Sequence, residues 1–142
     1  MISNIYHIFL QHPEVCIDTR QTSVGCIFFA LKGPNFNANE FALDALNNGA
    51  AYAIVDEEKY VLDERFILVQ DSLKCLQELA KFHRKKLTCP VIGITGTNGK
   101  TTSKELCYAV LSQKYNVTAT KGNLNNHIGV PLSLLSISTD TE

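Results

Sequence analysis

Gly96, Gly99, Lys100 and Thr101 crowd into one short run, Gly96-Thr97-Asn98-Gly99-Lys100-Thr101-Thr102. Such a run suits the binding of a nucleotide's phosphates. Small residues let backbone N–H groups approach phosphate oxygens closely. A helix that opens at Lys100 would point its positive end at the same place. Lys100 would supply a cation for the β- and γ-phosphates, and the Thr101 hydroxyl a ligand for Mg²⁺. The usual spacing is G-x-x-x-x-G-K-[ST], but Ile94 stands where its first glycine belongs. The run is therefore a shorter variant, G-x-x-G-K-T.

The elements that must position this run are legible on both sides of it. Val91-Ile92-Gly93-Ile94-Thr95 reads as a buried strand leading straight into the loop. The helix that follows carries Leu106, Ala109 and Val110 as its expected inner face. Residues 115–119 read as a next strand, residues 122–131 as a loop, and residues 132–137 as the start of another apolar element.

Upstream, the pattern predicts a small unit of alternating strands and helices. Ser3 is placed to cap a helix with Ile5, Ile8 and Phe9 on its apolar face, ended by Pro13. Residues 26–31 form a continuous apolar run of strand length, stopped by Gly33-Pro34. An Asn-rich loop follows to Asn39, read as the N-cap of a helix bearing Phe41, Ala42, Ala45 and Leu46. Gly49 stands where a left-handed C-cap belongs. Residues 52–55 and 66–69 read as two more buried strands. Asp71 or Ser72 caps a helix with Leu76, Leu79 and Ala80 on one face, widened by Leu73, Cys75 and Phe82. Arg84-Lys85-Lys86 suits a helix C-terminus, and Pro90 cannot continue one. A domain boundary is therefore expected near here, giving units of residues 1–88 and 89–142.

Composition bounds the rest. The chain has 142 residues, 45% hydrophobic and 19% charged, which fits a globular fold and not a disordered tail. Thirteen Lys+Arg against fourteen Asp+Glu leave a formal net charge of -1, so no global basic excess drives it onto nucleic acid or an anionic membrane. No apolar run approaches the roughly 20 residues of a membrane helix, and the N-terminus lacks a signal-peptide pattern. A cytoplasmic location is expected. The five cysteines, Cys16, Cys26, Cys75, Cys89 and Cys107, are odd in number and contain no C-x-x-C pair. They read as free, mostly buried thiols in a reducing compartment.

The glycine run, extended to residues 93–102, resembles the ATP loop of the Mur ligase family, shared with folylpolyglutamate and cyanophycin synthetases. Gly122-Asn123-Leu124-Asn125-Asn126-His127-Ile128-Gly129-Val130-Pro131-Leu132 resembles a segment of the branch that adds D-Ala-D-Ala. Asp18-Thr19-Arg20, then Gly25, Ile27-Phe28, Ala30-Leu31 and Gly33, resembles the D-[ST]-R … G-x-[LI]-F-x-A-L-x-G pattern of the family's UDP-sugar-binding domain. One stretch departs: the family often has Asp-Gly-His-x-Phe where this chain has Asn37-Ala38-Asn39-Glu40-Phe41.

The resemblance implies an α/β fold, with a small UDP-sugar-binding domain followed by the first part of a parallel-sheet ATPase domain carrying the phosphate loop. It implies the N-terminal part of an ATP-dependent amide ligase that adds D-Ala-D-Ala to UDP-N-acetylmuramoyl-tripeptide through an acyl phosphate. ATP and Mg²⁺ are the implied cofactors. Gly96, Thr97, Asn98 and Gly99 would cradle the phosphates, Lys100 hold them, Thr101 bind the metal, and Thr102 sit near the α-phosphate or cap the helix. Thr19, Arg20 and the loop at residues 33–41 are candidates for the UDP-sugar. Asp18 and Arg20 read equally well as an ion pair within a turn. Asn125 and Asn126 are candidates for substrate contacts near the γ-phosphate, with turn formation the competing reading. His127 reads as an ordinary loop histidine. The family's three-domain plan makes this chain a fragment, expected to be inactive alone, with its uncovered apolar surface covered either by a second copy or by packing against the first domain. A diaminopimelate- or lysine-adding Mur ligase, a complete nucleotide-binding module and a non-catalytic UDP-sugar-binding domain are the alternative readings.

Overall fold

The structure, a computed structural model, describes residues 1–122 and 124–142; Asn123, within the resemblance segment at 122–132, lies outside them. The elements are α1 (Ile2–Gln11), β1 (Val15–Cys16), β2 (Ile27–Phe29), β3 (Lys32–Gly33), β4 (Phe36–Asn37), α2 (Ala42–Asn47), β5 (Tyr52–Val55), β6 (Phe66–Leu68), α3 (Ser72–Lys86), α4 (Lys100–Leu111) and α5 (Gly129–Leu135). Strands β1, β2, β5 and β6 form one parallel sheet in the order β1-β2-β5-β6. The short pair β3 and β4 is an antiparallel hairpin at the end of β2.

Successive strand residues face opposite sides, and here both sides are dry. Ile27, Phe29 and Ile54 pack on one face with Ile5 and Phe9 of α1 and Leu76 and Leu79 of α3. Phe28, Ala53 and Val55 pack on the other with Ala42, Ala45 and Leu46 of α2. Two-sided cover explains why these strands read as unbroken apolar runs rather than alternating ones. The expected parallel α/β unit is present.

Local signals account for several boundaries. Asp71 caps α3, its carboxylate accepting from the Lys74 N–H at 2.8 Å. At the end of α2 the Gly49 N–H donates to Leu46 O at 3.1 Å and the Ala50 N–H to Ala45 O at 3.0 Å. Gly49 there has φ +109°, the left-handed stop its type predicts.

Other expectations are corrected. Ser3 does not cap α1; the helix starts earlier, with the Asn4 and Ile5 N–H groups bonded to Met1 O. Its buried face is Ile5, Tyr6 and Phe9, with Ile8 at the margin. Asn39 does not cap α2. It lies in a 3₁₀ turn, Ala38–Phe41, capped by Asn37, and α2 begins only at Ala42. Burial explains the change: Asn39 is drawn inward to bond Asp56, which leaves Phe41 exposed at the helix start.

Residues 91–95 and 115–119 form no regular element and join no sheet among the described residues. A strand exists only through its neighbours, and neither segment has a ladder partner here. Val91 and Ile92 are exposed as a result. In α4 the expected inner face of Leu106, Ala109 and Val110 is exposed. The helix instead turns Lys104, Cys107, Tyr108 and Leu111 toward a cavity of about 590 Å³ that Ile94 and Val117 also line. That set follows the i, i+3, i+4, i+7 spacing of a single helix face. The last apolar element starts earlier than expected, at Gly129, with Pro131 in the first turn, where a missing N–H is tolerated.

Helix α5 packs on α3, and Leu135 joins the core of α1 and α3. A buried relay fixes this contact. Tyr6 Oη lies 3.2 Å from His83 Nδ1, and His83 Nε2 lies 2.8 Å from Ile137 O. A carbonyl only accepts, so Nε2 donates to it, and in the neutral ring Nδ1 accepts from the Tyr6 hydroxyl. No helix among the described residues is long and apolar enough to cross a membrane.

Leu76 is fully buried between α3 and the sheet. Leu76→Ala is expected to lower the unfolding free energy by about 2–5 kcal/mol, measured by guanidinium titration.

Candidate functional site

Polar chemistry gathers in two places. The first is the carboxyl edge of the parallel sheet, where α/β proteins keep their ligands. Asp18, Thr19 and Arg20 follow β1, Lys32 follows β2, Asp56 and Glu57 follow β5, and Gln70 and Asp71 follow β6.

Asp18 carries two jobs in its turn. Its carboxylate accepts from the Arg20 backbone N–H at 3.0 Å, capping a 3₁₀ turn at Thr19–Gln21. It also takes the Arg20 guanidinium in bidentate fashion, at 2.9 Å from Nε and 2.6 Å from the terminal nitrogen. These bonds hold the Asp18 carboxyl at about 2. The Arg20 side chain remains 86% exposed, so the pair is a surface pair that presents its cation outward. Thr19 is half-buried, and its carbonyl accepts from the Thr22 hydroxyl.

Asp56 is the hub of the neighbouring loops, and the sequence reading did not single it out. Burial raises its carboxyl's pKa. Bonds from Asn39 Nδ2 at 2.8 Å, Lys32 Nζ at 3.1 Å and the Ser72 N–H at 3.3 Å outweigh that and bring it below its ordinary value. Asn39 Oδ1 returns a bond from the Asp56 N–H at 3.0 Å, and Asn37 Nδ2 donates to Glu57 Oε1 at 2.8 Å. The two asparagines that stand in place of the family's Asp and His thus tie the 33–41 loop to the end of β5. The legible signal was an acidic residue immediately after a buried strand.

The second place is the glycine run. Gly99 sits at φ +77° as the N-cap of α4, a left-handed conformation open to glycine at little cost. No side chain among the described residues caps the helix, which leaves its first N–H groups open. Lys100 Nζ folds back onto Gly96 O. Gly96, Thr97, Asn98, Gly99, Lys100, Thr101 and Thr102 are all exposed, and together they form an open loop at a helix start. This geometry suits phosphate oxygens, with the Thr101 hydroxyl available to a divalent cation. Among the described residues no cluster of three or more His, Cys, Asp or Glu side chains is arranged to hold a metal.

Asn126 is partly committed to structure. Its Oδ1 accepts from the Ile128 and Gly129 N–H groups at 3.0 and 2.8 Å, turning the chain into α5. Asn125 beside it is exposed, as is His127, whose carbonyl accepts from Gln77 of α3. Of the thiols, Cys16, Cys26, Cys75 and Cys89 are buried and Cys107 is exposed; all five are free.

A two-sided parallel sheet followed by an uncapped glycine loop that opens a helix defines an α/β protein of the phosphate-loop type. Residues 94–142 match the Mur ligase middle domain. Over 129 residues the chain is 44% identical to the UDP-N-acetylmuramoyl-tripeptide–D-alanyl-D-alanine ligase of Synechocystis, covering 89% of this chain and 28% of that protein. The ligase of the same name from Bacillus subtilis is 42% identical over 130 residues, again 28% of its length. Among solved structures, MurF ligase from Thermotoga maritima in complex with ADP superposes with a TM-score of 0.79 at 34% identity, covering 93% of this chain and 31% of that one. The chain spans about 28% of the length of the curated relatives it matches.

With its carboxyl at about 2 instead of 3.8, Asp18 stays ionised and the pair intact above about pH 4; the pair is lost as pH falls through about 2. Arg20→Ala is expected to move the Asp18 midpoint up toward 3.8, read by carboxyl NMR titration.

Proposed function

We propose that this chain is the substrate- and ATP-loop-bearing part of an ATP-dependent amide ligase that joins D-Ala-D-Ala to UDP-N-acetylmuramoyl-tripeptide in peptidoglycan precursor synthesis. The observation that carries the ATP reading is the open, uncapped start of α4 behind Gly99, with Lys100 and Thr101 exposed at its first turn. Relatives bearing that ligase's name match nearly the whole chain, which supports the particular substrates.

In this reading residues 1–88 bind the UDP-sugar through the carboxyl edge of the sheet, with Thr19 and Arg20 as contacts. Residues 89–142 open the ATP-binding domain. Gly96, Thr97, Asn98 and Gly99 present backbone N–H groups to the phosphates. Lys100 leaves the Gly96 carbonyl to neutralise charge on the transferring phosphoryl group, and Thr101 holds Mg²⁺. ATP would pass its γ-phosphoryl group to an oxygen of the unreactive carboxylate, giving an acyl phosphate and releasing ADP. The amine of D-Ala-D-Ala attacks that carbon, and phosphate leaves with the carbonyl restored. This chain's part is positioning and charge neutralisation. Asn125 and the amide nitrogen of Asn126 are set to contact substrate near the γ-phosphate. The work is cytoplasmic, where these precursors and ATP meet.

By itself the chain is a binding unit and not a catalyst. Exposed Val91, Ile92, Leu106 and Val110 support self-association of the isolated chain. A concentration-independent monomer in light scattering would count against that.

Calorimetric titration with Mg-ADP and with UDP-N-acetylmuramoyl-tripeptide tests the assignment. Both are expected to bind, and Lys100→Ala is expected to weaken Mg-ADP at least about tenfold while leaving the UDP-sugar peptide unchanged. Equal Mg-ADP affinity in the variant removes Lys100 from the phosphate site.

A further inference from the structure

The hairpin at the end of β2 carries an aromatic ring that no core accounts for. Phe36 is 60% exposed, although it sits at the carboxyl edge of the sheet among polar loops. Register pairs Gly33 with Phe36 and Lys32 with Asn37. Lys32 and Asn37 face β5, where they bond Asp56 and Glu57. Residues next to each other on a strand alternate sides, so Phe36 takes the other face of the hairpin. In the sheet order β1, with its Asp18-Thr19-Arg20 turn, is the neighbour of β2 opposite to β5.

The ring is also held. A Cβ on Gly33 would collide with Phe36 Cε1 and Cδ1, so the ring lies directly against the glycine backbone. Gly33 acts as a flat seat, which only a residue without a side chain provides. The hairpin behind it is anchored by the Asn37–Glu57 and Lys32–Asp56 bonds. The result is a rigid aromatic surface, seated on the protein on one side and exposed on another.

We infer that Phe36 is a stacking platform for the planar base of the nucleotide in the sugar-nucleotide substrate. This deepens the proposed UDP-sugar reading of the same edge and rests on it. A pyrimidine ring presents a π-face whatever its edge carries, so an aromatic platform binds it without a buried polar partner. The exposed Arg20 guanidinium supplies a cation for the diphosphate that adjoins the base.

The chain contains no tryptophan, which makes the test direct. Phe36→Trp places the chain's single tryptophan on the seat, excited selectively over its five tyrosines. Its emission is expected to be quenched by UDP and by uridine, and not by N-acetylglucosamine 1-phosphate, which has no base. Calorimetry with UDP is expected to show Phe36→Ala and Phe36→Leu about tenfold weaker than wild type, with Phe36→Trp retaining affinity. Leucine still covers Gly33, so its failure separates stacking from simple cover, and circular dichroism confirms that each variant folds. Wild-type binding with Phe36→Ala and Phe36→Leu within twofold of it, or Trp emission insensitive to uridine, overturns the platform and leaves the UDP-sugar site standing. Absence of binding of UDP and of UDP-N-acetylmuramoyl-tripeptide to wild type overturns both.

Discussion

A parallel sheet of four strands with two apolar faces has to be covered twice, and that requirement organises the first two-thirds of this molecule. Helices α1 and α3 close one face and α2 the other, so the faces have no room for chemistry. Polar side chains are left with the strand ends. The connections leaving β1, β2, β5 and β6 all emerge at the same edge, and there the chain places Arg20, Lys32, Asp56 and Gln70. The polar edge is what remains after the core is satisfied.

The same requirement shows why some elements were legible and others were not. Residues 26–31 and 52–55 stand out as apolar runs because both of their faces are buried, whereas 66–69, at the sheet edge, buries Phe66 and Val69 and leaves Leu68 exposed; the structure puts strands within each. Asp71 and Gly49 announce helix ends through local bonds that need no distant partner. Residues 91–95 carry an equally good strand pattern, yet pair with nothing among the described residues, because pairing is a property of the neighbours. Leu106, Ala109 and Val110 likewise make a credible inner face, and stay exposed while the opposite stripe lines the cavity. The two-residue strand β1 and the hairpin were too short to leave a period.

The site was read unevenly for a related reason. A phosphate loop depends on backbone geometry that glycines advertise, so its place at the start of a helix was visible in the residues. The role of Asn39 was not. Asparagine before a helix suggests a cap, but this one is 1% exposed and spends its amide on Asp56 and Asn37. Only the fold brings Asp56 to it. Asn37 in turn donates to Glu57, a bond that a carboxylate at that position would not make. At this departure from the family's Asp-Gly-His-x-Phe stretch, the two asparagines bond the loop to the end of β5.

The Tyr6–His83–Ile137 relay has a mechanical consequence. It bonds the residue just beyond α5 to a helix that belongs to the first sheet, and Leu135 is sunk in the same core. The stretch from α5 onward is thus keyed to the first unit, although it follows the phosphate loop in the chain.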